Sequence, residues 1–155
     1  MKITQKITPF LWFDNDARKA AEYYVSVFGN GSKINFLTPL EKTPSGAEAG
    51  TVSVTLAGMD FLFINGGPFM KINEAVSFVI NCVDQAEVDY YWEKLSAVGE
   101  AERCGWLKDK FGVSWQVVPV RLGELLADKE PGKAARVIQA MLKMKKLNIT
   151  ELENS

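Results

Sequence analysis

Residues 7–29, ITPFLWFDNDARKAAEYYVSVFG, decide the fold of this chain. Ile7–Phe13 reads as a strand, and Asp14-Asn15-Asp16 then offers helix caps. Ala17, Ala20, Ala21, Tyr24, Val25 and Phe28 follow at the spacing of one apolar helix face. Gly29 sits where a C-terminal cap belongs.

The same order returns seventy residues later. Val76–Val83 is an apolar strand, and Asp84-Gln85-Ala86-Glu87 resembles a capping box. Val88, Tyr91, Trp92 and Leu95 form the apolar face, and Gly99 is expected to end the helix. Asp14 then matches Asp84, and Gly29 matches Gly99, at one common offset. A strand and a capped helix that recur in this way predict a duplicated unit.

Strands follow each helix. In the first half they are Lys33–Leu37, Thr51–Leu56 and Asp60–Asn65. Thr51, Ser53 and Thr55 alternate with Val52, Val54 and Leu56, so one face is polar and the other apolar. In the second half the strands are Glu100–Leu107 and Val113–Val120. Gly58 and Gly112 mark the turns, 54 residues apart, and the difference is assigned to a longer loop at Glu41–Gly50, with Pro44, Ser45 and Gly46. The expected fold is α+β, a βαβββ module over residues 1–70, a second over 71–121, and a helical tail over 122–155. In the tail, Leu122–Asp128 is a short helix, and Pro131 suits the start of another. Ala134, Val137, Ile138, Met141 and Leu142 line one face of that helix, opposite Lys133, Arg136, Lys143, Lys145 and Lys146.

Composition removes whole classes of function. A net charge of −1 calls for neither nucleic acid nor an anionic membrane. No apolar run reaches the ~18–20 residues of a membrane span, and the polar Met1–Lys6 is not expected to be a signal peptide. Two cysteines, Cys82 and Cys104, do not make a disulfide framework, so a cytoplasmic location is expected. The chain has no histidine, which excludes Ser-His-Asp and Cys-His catalysis and every imidazole metal site.

Three stretches carry a family resemblance: residues 7–13 with Ala20-Ala21-Glu22-Tyr23-Tyr24; Asp109-Lys110-Phe111-Gly112-Val113-Ser114-Trp115-Gln116-Val117-Val118-Pro119; and residues 134–144. They resemble the vicinal oxygen chelate (glyoxalase, bleomycin resistance and dioxygenase) superfamily, and within it the PhnB-like, demethylubiquinone 3-methyltransferase-like group. The resemblance implies two modules whose curved mixed sheets form a cup. It also implies four inward ligand positions, carried over as Thr8, Leu62 (or its neighbours Phe61 and Phe63), Phe78 and Gln116. Leu62 and Phe78 coordinate nothing, and Thr8 and Gln116 are neutral, whereas a first-row metal needs about three or four N, O or S donors. The reading is therefore no metal and no cofactor.

The candidate ligand-binding residues are Gln116, Ser114, Thr8, Phe10, Phe78, Trp106, Leu62 and Asn65. Gln116 leads, because alternation along its strand aims it to one side with Ser114. Its competing role is an amide bonded to a neighbour on the wall. Phe10, Phe78 and Trp106 are placed towards the cavity as apolar walls. Asn65-Gly66-Gly67-Pro68 offers backbone N–H groups to an anion or is a plain loop. Cys104 and Cys82 are read as inert, and Asp14, Asp84 and Asp109 as capping or turn residues. The expected partners are a small molecule and a second copy of the chain. Four functions stay open: sequestration of a small, apolar or aromatic molecule; a metal-independent enzyme acting on a quinone-like or other small organic compound; a structural dimer module; and methyl transfer. The last is discounted, because no Gly-rich loop joins a strand to a helix.

Overall fold

The computed structural model describes residues 5–42 and 48–155. The chain folds as two units, Met1–Ile72 and Asn73–Ser155.

The first unit runs β1 (Phe10–Phe13), α1 (Ala17–Phe28), β2 (Lys33–Leu37), β3 (Glu41–Lys42), β4 (Glu48–Leu56) and β5 (Met59–Asn65). Its sheet has the order β1-β5-β4-β2, with β3 paired to β4. β1 and β5 are parallel, and β4 is antiparallel to β5, β2 and β3. The first strand is shorter than the expected Ile7–Phe13. Pro9 has no N–H to give to a ladder, although its carbonyl still accepts from Leu62 N at 2.9 Å. The expected loop at Glu41–Gly50 is partly strand, since Glu41 and Lys42 pair with Ala49 and Glu48; Pro44, Ser45 and Gly46 lie outside the described residues.

Helix α1 covers one face of this sheet. Ala17, Ala20 and Ala21 are fully buried, and their small side chains let the helix come close. Tyr24 sits edge-on to Phe63 at 5.9 Å, and Phe13 lies 5.1 Å from Phe63. Val52, Val54, Leu56 and Phe61 complete this core. The predicted polar–apolar alternation of β4 therefore holds. Asp16, not Asp14, is the N-cap residue, and its side chain makes no cap bond. The first helical N–H, that of Ala17, donates instead to Asn65 Oδ1 at 2.8 Å. Gly29 closes the helix at φ 63°, as predicted.

The second unit runs β6 (Ser77–Cys82), α2 (Gln85–Leu95), a 3-10 turn (Gly99–Ala101), β7 (Trp106–Lys108), β8 (Ser114–Pro119), α3 (Val120–Leu126), α4 (Lys133–Met141) and α5 (Ile149–Glu153). Its sheet order is β6-β8-β7, with β6 parallel and β7 antiparallel to β8. This unit repeats the strand–helix start of the first with two strands fewer among the described residues, three against five. The expected strand Glu100–Leu107 is broken by the 3-10 turn and by a two-residue hairpin, Cys104-Gly105, between Arg103 and Trp106. Both hairpin residues have positive φ, 51° and 85°, as a type I′ turn requires. The predicted cap is present in a variant form: Glu87 N donates to Asp84 Oδ1 at 2.9 Å, and Glu87 Oε2 reaches back to accept from Val83 N, one residue before the cap, at 2.8 Å. Gly99 does not end α2, which stops at Leu95 with Ser96 as its C-cap.

The tail packs on its own chain. Leu122, Leu125, Val137, Leu147 and Leu152 form a buried cluster, with Val118, Ala140, Met141 and Met144 against it. Ile138 and Leu142, expected on the same apolar helix face, are exposed. The expected basic helix face does not form, because α4 ends at Met141, before Lys143, Lys145 and Lys146. Arg136 pairs with Glu130 at 2.6 Å and Lys146 with Asp89 at 2.6 Å, while Lys133 donates to the carbonyls of Glu153 and Ser155. Among the described residues no helix is long and apolar enough to cross a membrane.

Candidate functional site

In a strand, neighbouring side chains point to opposite faces, so the face carrying each residue follows from the ladder. In the second unit the buried side chains Ile80, Cys82, Leu107, Trp115 and Val117 mark the covered face. Phe78 shares their parity and lies tilted against Trp115, with ring centroids 5.5 Å apart. It is half-buried on that covered face, whereas the sequence places it beside Gln116. The other face carries Ser77, Val79, Trp106, Lys108, Ser114 and Gln116.

This difference of face has one cause. Phe10 pairs with Leu62 and Val79 pairs with Gln116, so the first strands of the two units match at 69 residues, not 70. The partner of Thr8 is then Ser77, and that of Phe10 is Val79. A slip of one residue moves a side chain to the opposite face. The helices start one position out of step with the strands, since three residues separate Phe13 from Ala17 and only two separate Cys82 from Gln85. The match of Leu62 with Gln116 at 54 residues stands.

Gln116 Nε2 donates to Ser77 Oγ at 2.9 Å, an amide tying two parallel strands together. Trp106 is its register partner on the other side, and Lys108 is the partner of Ser114. Beside them lies a cavity of about 280 Å³, lined by Glu74, Val98, Glu100, Ala101, Arg103, Trp106, Leu107, Lys108 and Ser114. Ser114 is only 2% exposed and Trp106 is half-buried. Lys108 Nζ meets Glu74 Oε2 at 3.2 Å. A backbone hydrogen bond to the Glu74 carboxylate, followed by the Lys108 ammonium, holds that carboxyl below its usual range. Ser114 and Trp106 were read from the sequence, whereas Lys108, Arg103 and Glu74 were not. Lys108 was detectable as the residue two beyond Trp106 on one strand; Glu74, in the segment before β6, left no signal.

The remaining candidates fall in the first unit. Phe10 is 52% exposed, beside the half-buried Leu62, on the sheet face opposite α1. That face also bears a hydrogen-bonded row: Asn35 Nδ2 reaches Thr55 Oγ1 at 2.9 Å, and Thr55 Oγ1 donates to Asp60 Oδ1 at 2.5 Å. Thr8 is half-buried and precedes β1. The Asn65 oxygen accepts from the first N–H of α1. The Asn65–Pro68 turn is a plain loop: Gly66 N donates to Phe13 O, Gly67 N to Asp14 O, and Gly67 O accepts from Trp12 Nε1.

The donor chemistry does not suit a metal. Within the first unit the two ligand positions offer a threonine hydroxyl and a leucine. Within the second they offer the Ser77 hydroxyl and an amide whose nitrogen donates to it. Among the described residues no group of three His, Cys, Asp or Glu comes together. Cys82 is fully buried, and burial pushes its thiol up to about 12.

The Asp109–Gly112 turn explains the most distinctive sequence motif. Asp109 is 1% exposed; its Oδ1 accepts from Phe111 N at 2.8 Å and Val113 N at 3.1 Å, and its Oδ2 from Trp115 Nε1 at 2.8 Å. The motif thus builds the start of β8, the strand that carries Ser114 and Gln116. Residues 5–118 match the family model described as 3-demethylubiquinone-9 3-methyltransferase. The chain belongs to that family. A solved PhnB protein from Bacillus cereus is similar at 32% identity and a TM-score of 0.63, over 75% of this chain and 100% of that one.

The PhnB-like family lies in the vicinal oxygen chelate superfamily, and the α+β fold agrees. The fosfomycin resistance protein FosX from Listeria monocytogenes matches at 16% identity and a TM-score of 0.53, over 79% of this chain and 97% of that one. FosX from Mesorhizobium loti matches at 14% and 0.51, over 82% and 100%. These two likenesses concern the fold. No curated protein matches the chain.

Proposed function

We propose that this PhnB-like protein binds a small organic molecule in the cavity of its second unit, and does so without a metal. The observation that carries the reading is the cavity itself. One sheet face presents an aromatic wall, Trp106, a buried hydroxyl, Ser114, and an ammonium, Lys108, to a volume of about 280 Å³. The lining is mixed: Val98, Ala101, Trp106 and Leu107 are apolar, and the other five residues are polar or charged, which suits a small molecule with both an apolar and a polar part. The family description names a methyltransferase, but the strand-to-helix connections support no S-adenosylmethionine site. Asp14–Asp16 and Val83–Asp84 contain no glycine to bring backbone against a phosphate or sulfonium ligand.

The test has two parts. Nuclear magnetic resonance of labelled protein against a library of small aromatic and aliphatic compounds should give hits whose shifts centre on Trp106, Lys108 and Ser114. Hits that centre elsewhere would sink the reading. Elemental analysis after dialysis against zinc, nickel and manganese should find no stoichiometric metal, and one retained ion per chain would refute metal independence.

A further inference from the structure

The polarity of the cavity is graded. Its deep polar end is Ser114, 2% exposed, beside Lys108, whose side chain is 27% exposed. Its carboxylates lie further out: the Glu74 side chain is 63% exposed, and Glu100 is exposed. A lysine ammonium carries three protons, and a serine hydroxyl both donates and accepts. The deep end is therefore rich in donors and positive. At present Lys108 is answered by one carboxylate, Glu74, which comes from the segment before β6. An ion pair half in solvent is weak and readily exchanged.

We propose that the Lys108–Ser114 end receives the carboxylate of a small organic acid, which displaces Glu74 from Lys108 while the acid's apolar body rests against Trp106. This rests on the small-molecule reading above. Glu74 is then a resident counter-ion: it keeps Lys108 paired when the cavity is empty and competes with the ligand. A monoanion suits the site, because it replaces one carboxylate by another. A dianion would meet Glu74 and Glu100 at the mouth. Arg103 lines that mouth, and its positive charge reaches Glu74, so it offers the released carboxylate a second partner.

The experiment uses benzoate and its neutral counterpart benzamide as probes, with calorimetry for affinity and resonance shifts for location. Benzoate should bind at the cavity about tenfold more tightly than benzamide, since charge-assisted bonds are roughly twice as strong as neutral ones. Glu74→Gln should tighten benzoate severalfold and leave benzamide unchanged. Lys108→Gln should remove the preference for benzoate, with circular dichroism confirming the fold. Benzamide binding at least as well as benzoate, or Glu74→Gln weakening benzoate, would overturn the acid assignment and leave the small-molecule reading intact. Neither probe shifting Trp106, Lys108 or Ser114 would overturn the acid assignment, while library hits at those residues would preserve the broader reading.

Discussion

Replacing Asp109 should unfold the second unit at markedly lower denaturant, and the structure sets the size of the effect. Asp109 is buried and accepts three N–H groups, from Phe111, Val113 and the Trp115 indole. A buried donor left unpaired costs about 1–3 kcal/mol. The Trp115 indole is deeply enclosed and stands near the top of that range; the partly buried Phe111 N–H stands near the bottom. Asp109→Ala orphans all three, for a loss of about 4 kcal/mol. Asp109→Asn is more informative. Its oxygen can still accept from Phe111 and Val113, but its amide nitrogen then faces the indole N–H, donor against donor. The expected cost is about 2 kcal/mol, falling to under about 1 kcal/mol when Trp115→Phe is also present. Urea unfolding of the four proteins in the cycle measures this, with equal m-values required for the comparison. A cost for Asp109→Asn that is the same with the native Trp115 and in the Trp115→Phe background would refute the argument that the indole bond organises the turn.

Local geometry fixes four further outcomes. Gly66→Ala should destabilise by about 1–3 kcal/mol, because a Cβ would sit 2.2 Å from Trp12 Cζ2; an unchanged melting temperature would show that Trp12 moves freely. Ala57 has φ 46° in its hairpin, so Ala57→Gly should stabilise by about 0.5–1 kcal/mol after the entropy cost of glycine is set against relief of left-handed strain, and thermal unfolding checks the sign. At pH 8, Ellman's reagent should modify Cys104 quickly and Cys82 only on unfolding, since Cys82 is buried with a pKa near 12; two fast thiols would contradict its burial. For the same thiol, an unfolded state that ionises near 9.0 against a folded one near 12 means stability is intact below pH 9 and falls as pH rises between these values.

Much of this architecture was legible in the chain because its signals are local. Alternation on Thr51–Leu56 told which side of β4 would meet a helix, the spacing Ala17, Ala20, Ala21, Tyr24 told which side of α1 would meet it, and Asp84 with Glu87 announced a cap. Register is not local. Whether Thr8 matches Phe78 or Ser77 depends on which residue of β6 lies opposite Gln116, and a single-residue difference in the connection to the helix reverses the answer. That is why the sequence places Phe78 beside Gln116 while the register puts it on the opposite face of the sheet. The part Asn65 plays at the start of α1 is hidden for a related reason: the donor it serves, Ala17 N–H, is 48 residues away in sequence. The sequence by itself determined the α+β class, the repeated strand–helix unit, the poverty of metal donors and the role of Asp109, each of which follows from residue type and short spacing. Only the tertiary structure decided where a cavity opens and what charge lies deepest in it. Glu74, Arg103, Lys108 and Ser114 come from separate elements, and their meeting depends on how strands pair, which no periodicity encodes.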